Sequence, residues 1–358
     1  MIRGLAIIFL LYCTAEAAQS QDIKGSVKDA QTNEALPFAN VFLNNTTRGT
    51  TSGPDGKFSL TSLSKGYAEL VISYVGYQTQ SINILLKEDE TLELNVLLKL
   101  EMKELQEIQI ESKEDKEWKK KFRKFEKEFL GNTPTARKCK IINPWVVDFS
   151  INENGLMTAQ ATAPIEIRNN ALGYELSFYL KRFEASAKSF VLLGYAHFKQ
   201  IEPTDEQQPV TWEKNRLVSY RGSDRHLFRA MIEGRIRAEG FELYTERKQQ
   251  KEIIRDPLFG QELGKQIIPL SFGMLNAGKQ GITRITLIHR IEVHYINDTD
   301  HPFYRDIPCR VFWIEPLRPF LEVNSNGVIH DPLAIYTSGY LNLLRVGDML
   351  PFDYEPKR

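Results

Sequence analysis

Residues 23–86 read IKGSVKDAQTNEALPFANVFLNNTTRGTTSGPDGKFSLTSLSKGYAELVISYVGYQTQSINILL, and the spacing of their turns decides the fold of the first part of the chain. Short runs rich in β-branched and aromatic residues, at Ile23 to Val27, Ala39 to Leu43, Lys57 to Leu60, Ala68 to Tyr74 and Gln78 to Leu85, alternate with clusters of Gly, Pro, Asn and Asp. Closely spaced strands of a β-sandwich require that rhythm. Pro54, Asp55 and Gly56 supply in succession a fixed φ, a local carboxylate acceptor and a positive φ, so the run from Lys57 is expected to follow a tight hairpin turn. Gly25 interrupts an alternating run, where a missing side chain marks a bulge or a close approach of two backbones. Gly76 and Tyr77 close the most apolar strand, Leu70 to Val75.

This stretch resembles the carboxypeptidase-like regulatory domain, a seven-stranded transthyretin-like sandwich. The residues that carry the resemblance are Gly25, Val27, Asp29, Leu36, Pro37, Ala39, Val41, Gly49, Thr50, Asp55, Gly56, Phe58, Ser73, Tyr74, Val75, Gly76 and Tyr77. Where that family usually has Thr-Asp before the Gly-x-Phe turn, this chain has Ser52, Gly53 and Pro54. The resemblance implies an accessory module, of the kind found beside zinc carboxypeptidase catalytic domains and at the front of TonB-dependent receptors. It implies no peptidase activity of its own.

The chain opens MIRGLAIIFLLYCTAEAAQSQ, with Arg3, an apolar run from Leu5 to Tyr12 and Ala15-x-Ala17, the layout of a secretory signal peptide over residues 1–20. Cleavage is expected after Ala17 or Ser20, and the mature protein is expected in the periplasm or at the outer membrane. Cys13 has Tyr12 before it, where a lipobox needs a small residue, so lipidation is not the favoured reading. No later run reaches the roughly 20 apolar residues of a spanning helix. With 46 basic and 46 acidic residues the chain has no net charge to attract nucleic acid. After removal of the signal two cysteines remain, Cys139 and Cys309, which in an oxidising compartment either pair as a disulfide or stay as buried thiols.

The expected organisation is a sandwich over residues 21–100, a connector and amphipathic helix over 101–131, and an α+β domain with an antiparallel sheet over 132–358, so the fold class is mainly β. Trp118, Phe122, Phe125 and Phe129 follow one another at i, i+4, i+7 and i+11, which puts four aromatics on one stripe of a helix ending near Gly131. That stripe docks the helix on its own domain or, with the lysine-rich opposite face, makes the 113–130 segment a peripheral membrane contact. Beyond it, alternation marks strands at Leu172 to Leu180, Phe190 to Phe198 and Ile282 to Ile296. One helix is expected from the N-cap Ser223 through Leu227, Phe228, Met231 and Ile236 to Gly240. Glu202 to Pro209 reads as a polar loop and Pro351 to Arg358 as a surface-bound terminus. The alternation at 172–180 also fits an outer-membrane barrel strand, but a barrel needs at least eight of these, and a half-buried antiparallel sheet accounts for the pattern. Three phrases, FLGNTPTARKCKIINP at 129–144, ALGYELSFYL at 171–180 and YRGSDRHLFRAMI at 220–232, resemble the companion region of uncharacterised envelope proteins that carry the same regulatory domain.

The candidate chemistry is sparse. His289 and Glu292 have the His-x-x-Glu spacing of zinc carboxypeptidases, but clean alternation from Ile285 to Val293 predicts a strand with the two on opposite faces. Glu292 and His294 share a face, roughly 7 Å apart, without the two further ligands that tetrahedral zinc needs. No metal or cofactor is therefore expected. Arg221, Ser223, Arg225 and His226 gather at the start of the expected helix, whose free N–H groups already favour an anion, so they form a candidate anion or partner site. No nucleophile elbow, phosphate loop or dinucleotide fingerprint occurs. The sequence points to an exported, non-catalytic binding or scaffolding protein of the bacterial cell envelope, acting on an envelope protein or glycan. The alternatives are an envelope hydrolase with the sandwich as accessory, or an accessory factor of a TonB-dependent uptake system.

Overall fold

The computed structural model of the chain describes residues 21–87, 90–101, 116–187, 189–246, 254–255, 262–263, 267–269, 275–277, 282–298 and 309–357. The expected signal segment with Cys13, most of the connector and Arg358 lie outside these residues. Among the described residues the protein is mainly β, built as several largely antiparallel sheets with three α-helices and no barrel.

The first seven strands are β1 (Gln21–Asp29), β2 (Asn40–Leu43), β3 (Gly49–Thr51), β4 (Lys57–Leu63), β5 (Gly66–Ser73), β6 (Gln80–Leu86) and β7 (Thr91–Leu98). They form a sandwich of a three-stranded sheet, β4-β1-β7, and a four-stranded sheet, β3-β2-β5-β6. Its core is almost wholly aliphatic: Ile23, Val27, Val41, Leu70, Ile72, Ile84 and Val96 meet between the layers. The turn before β4 is closed by Gly56 at φ +74° and by the Gly53 N–H donating to the Lys57 carbonyl at 2.7 Å. Gly25 marks a close approach rather than a bulge. A Cβ there would stand 1.9 Å from the Leu94 carbonyl oxygen of β7, the parallel neighbour of β1.

Helix α1 (Lys116–Leu130) ends where Gly131 takes φ +95°. It is followed by β8 (Cys139–Ile141), β9 (Val147–Ile151), β10 (Met157–Ala161), β11 (Ile165–Asn169), β12 (Tyr174–Ala185) and β13 (Phe190–Gln200), a six-stranded antiparallel sheet. Phe125 and Phe129 of α1 pack on Phe149, Phe178 and Phe183, so the aromatic stripe docks the helix on this sheet. Phe178 and Phe183 are an odd number of residues apart in one strand. They share a face because the pairing with β13 slips by one residue between Leu180 and Arg182, which resets the alternation.

Two helices come next, α2 (Gln207–Tyr220) and α3 (Asp224–Ile232). The expected polar loop at Glu202 to Pro209 is thus partly helical, and the single helix expected here is two. α2 escaped the sequence pattern because its buried face consists of Trp212, Arg216 and Tyr220, a stripe with a cation in its middle. α3 stops at Ile232 rather than near Gly240, because Gly234 at φ +66° ends it, and Ile236 reaches the core from the following turn.

The remaining strands are β14 (Phe241–Glu246), β15 (Ile254–Arg255), β16 (Glu262–Leu263), β17 (Ile267–Pro269), β18 (Leu275–Ala277), β19 (Ile282–Thr286), β20 (Ile291–Tyr295), β21 (Arg310–Pro316), β22 (Phe320–Asn324) and β23 (Ile335–Gly339). They form a five-stranded sheet, β17-β14-β20-β21-β23, a three-stranded sheet, β18-β19-β22, and the β15-β16 pair. The single strand expected over Ile282 to Ile296 is broken at 287–290, and its halves belong to different sheets. Both halves feed one core, with α3 packed against it through Leu227, Phe228 and Met231.

Candidate functional site

Ser223 is the N-cap of α3, as its type and position imply: its hydroxyl accepts the His226 N–H at 3.1 Å. The other candidate residues diverge from it. Arg225 is buried, and its guanidinium donates to four backbone carbonyls, those of Asn326 (3.2 Å), Pro351 (3.0 Å), Phe352 (2.8 Å) and Tyr354 (2.8 Å). Four of its five N–H donors are thus engaged within the fold, three of them in holding the final segment of the chain. The tail is correspondingly more than surface-bound: Pro351 and Tyr354 are buried, and the Tyr354 hydroxyl donates to Glu213 of α2 at 3.0 Å.

His226 points to the other side of α3. Its Nδ1 accepts the Gly222 N–H at 3.1 Å, so the neutral ring carries its proton on Nε2, 3.4 Å from a Glu239 oxygen. Burial among Tyr220, Phe241 and Tyr295 lowers its pKa, an effect that the Glu239 carboxylate partly offsets. Glu239 begins a ladder of charges. Arg235 links it to Glu233, Arg229 joins Glu233 at 3.0 Å, and Arg229 reaches Glu355 of the tail at 2.7 Å. The ladder lines a cleft of about 640 Å³ that Arg221 and His226 also border. Of the four candidates, then, two face this cleft and two are consumed by capping and clamping. The partners of the ladder were legible only as the i, i+4 pairs Arg229–Glu233 and Arg235–Glu239.

His289 lies exposed in the break between β19 and β20, so the strand argument that set it opposite Glu292 does not describe it. Glu292 is buried, accepting from Trp313 Nε1 at 2.9 Å and lying 2.8 Å from His294 Nε2. Among the described residues no group of three His, Cys, Asp or Glu side chains is placed to hold a metal ion. Cys139 and Cys309 stand as separate thiols in different clusters, with burial pushing the first up to about 12 and the second to about 11. In this structure Cys139 is half-buried, Cys309 is buried, and the two are not joined.

The contact that the sequence did not disclose is between the sandwich and the six-stranded sheet. Phe42, on the outer face of β2, stacks on Tyr179 at 5.2 Å and on His197 at 5.0 Å, with Val71 and Tyr195 closing the cluster. The Tyr195 hydroxyl donates to Ser81 at 2.9 Å. The loop after β2 runs beside the free edge of β13: the Asn45 N–H donates to the Ala196 carbonyl at 2.7 Å and the Phe198 N–H to the Thr46 carbonyl at 2.9 Å. An edge that could recruit a foreign strand is covered in this way by the sandwich itself. The tail joins the same loop, with Asp353 accepting from the Thr47 N–H at 3.0 Å and the Phe352 N–H donating to the Asn45 carbonyl at 2.6 Å.

Residues 23–110 match the family described as the CarboxypepD_reg-like domain. The TonB-dependent receptor SusC of Bacteroides thetaiotaomicron is 37% identical over 92 residues, which is 24% of this chain and 9% of the receptor. Among solved structures, a putative membrane-associated protein of unknown function from Bacteroides fragilis aligns over 89% of this chain and 93% of its own at 12% identity, with a TM-score of 0.20. A putative carbohydrate binding protein from Bacteroides uniformis aligns over 51% and 99% at 9% identity, also with a TM-score of 0.20. Among the described residues no helix is long and apolar enough to cross a membrane. The seven-stranded sandwich at the start of this chain is a carboxypeptidase regulatory-like domain.

Proposed function

We propose that the chain is an exported, non-catalytic binding or scaffolding protein of the bacterial cell envelope. On this reading residues 1–20 are a signal peptide, residues 21–100 form one domain, 101–131 a connector and docking helix, and 132–358 a second domain. The observation that carries it is the regulatory-like sandwich, whose sequence is shared with part of a TonB-dependent receptor. The internal engagement of Arg225 and Glu292 supports it as well, because the charges that first suggest chemistry are satisfied within the fold. Expression with the native N-terminus in a Gram-negative host, followed by fractionation, tests the reading. Recovery in the periplasm or outer membrane, with residues 1–20 removed, supports it; uncleaved protein in the cytoplasm overturns it.

The likeness to SusC favours one refinement, that the partner is a TonB-dependent uptake system. Co-purification of a barrel receptor with the tagged chain from solubilised outer membranes is expected on that refinement. The hydrolase alternative predicts instead stoichiometric zinc that is lost on substituting His289 or Glu292.

A further inference from the structure

α1 is held by its apolar stripe, yet its outer face carries charges of almost a single sign. Lys116, Lys119, Lys120, Arg123, Lys124 and Lys127 are exposed, and Glu117 is the one exposed carboxylate of the helix. None of these six cations makes an ion pair among the described residues. The face therefore carries a surplus of five positive charges along a helix about 22 Å long, in a chain with 46 basic and 46 acidic residues.

This arrangement works against the helix. Lys116 and Lys120, Lys119 and Arg123, Lys120 and Lys124, and Arg123 and Lys127 are like-charged neighbours at i, i+4, each pair unfavourable. Lys116, Lys119 and Lys120 also crowd the end where the helix dipole is already positive. Glu117, three residues before Lys120, and Glu128, four residues after Lys124, offset this only in part, and packing of Phe125 and Phe129 has to overcome the rest of the repulsion. An external anionic surface would relieve it.

Resting on the envelope reading above, we infer that the exposed face of α1 docks the protein on an anionic lipid surface, with the regulatory-like sandwich turned away from it. Five of the six exposed cations are lysines, compact point charges on flexible stems that suit a diffuse array of headgroups. Insertion of the aromatic stripe is excluded, because Trp118, Phe125 and Phe129 are buried against the six-stranded sheet. The contact is therefore electrostatic and peripheral. Orientation follows from the alternation in β12: Phe178 faces α1, and the next residue, Tyr179, faces the sandwich. With layers about 10 Å apart, the outer β4-β1-β7 sheet stands about 30 Å from the helix.

The test uses the chain without residues 1–20 and vesicles of about 30% phosphatidylglycerol in phosphatidylcholine, at about 50 mM salt. The expected result is co-sedimentation that disappears in about 1 M salt, where the Debye length is about 3 Å, and that is absent with pure phosphatidylcholine. The combined change Lys120→Glu and Lys127→Glu turns three of the four repulsive i, i+4 pairs into attractive ones and cuts the surplus from five to one. Vesicle binding is expected to fall at least about tenfold while thermal stability holds or rises. A fluorescent donor on Glu117→Cys should transfer strongly to a headgroup acceptor, and one on Thr61→Cys of β4 weakly. Any of four results overturns the inference: no binding to anionic vesicles, equal binding to neutral ones, binding untouched by the double change, or stronger transfer from position 61. Loss of wild-type binding with correct export would remove this contact and leave the envelope reading standing.

Discussion

The sandwich and the half of the chain that follows it are stabilised in different ways. Between the layers of the sandwich the buried hydrophobic side chains are aliphatic apart from Phe58, and buried Asp29 and Ser52 accept from backbone N–H groups. In the later half the sheet and α1 meet through phenylalanines, and Arg216, Arg225, His226, Glu292 and Arg310 are buried as well. Arg216 lies over the Tyr174 ring at 4.1 Å while its Nε donates to the Leu172 carbonyl at 2.8 Å, and Arg225 binds carbonyls contributed by two distant segments. An aliphatic core is non-directional and follows from alternation alone. A buried guanidinium requires particular carbonyls at particular distances, so it ties together parts of the chain that local pattern does not connect.

The sharpest way to break this contrast is in the aromatic layer. Phe125→Ala removes a fully buried ring that meets Phe129, Phe149 and Phe183, and should cost about 3–5 kcal/mol. Calorimetry should show the later half losing stability first, with the sandwich transition less affected; equal loss in both would mean that they unfold as one unit. Arg225→Met is next. It leaves the carbonyls of Pro351, Phe352 and Tyr354 without their donor, for a loss of about 2–4 kcal/mol. Hydrogen exchange should show residues 351–357 opening before any sandwich strand, and unchanged protection of the tail would refute the clamp.

Gly25→Ala tests the sandwich alone. Its new Cβ would meet the Leu94 carbonyl oxygen at 1.9 Å, so β1 and β7 must separate, at a cost of about 1–3 kcal/mol. A denaturation midpoint equal to that of the parent would show that the two strands yield easily.

The last effect is confined to a pH window and concerns Asp348, whose pKa burial raises to about 6 although Thr133 and the Arg345 N–H donate to it. A carboxyl with a folded pKa above its unfolded value favours the fold when protonated. The contribution is complete below about pH 4 and is lost as pH rises through about 6, a change of about 3 kcal/mol. Asp348→Asn should flatten stability between these pH values and leave the protein more stable at pH 7; an undiminished slope would assign the titration elsewhere.

Legibility followed the same contrast. Pro54 to Gly56, Gly25 and Gly76 each act through their own backbone, so the turns of the sandwich could be placed from residue types. The aromatic stripe of α1 was equally plain, being a local period. α2 was hidden because Arg216 occupies its buried stripe, and the break at 287–290 was hidden because Ile285, Leu287, Ile291 and Val293 keep an apolar alternation across it. For the candidate site, the capping role of Ser223 was legible and the partners of Arg225 were not, since those carbonyls lie more than 100 residues away.

By itself the sequence determined that this is a mainly β protein, that residues 23–86 belong to a regulatory-like sandwich, and that α1 is a helix with one aromatic and one basic face. Each of these is a property of residues within a few positions of one another. Only the tertiary structure decided which face of the six-stranded sheet takes α1 and which takes the sandwich, that the loop after β2 covers the edge of β13, and that Arg225 holds the tail. Those outcomes depend on directional contacts between distant segments, whose geometry exists only once the sheets have formed.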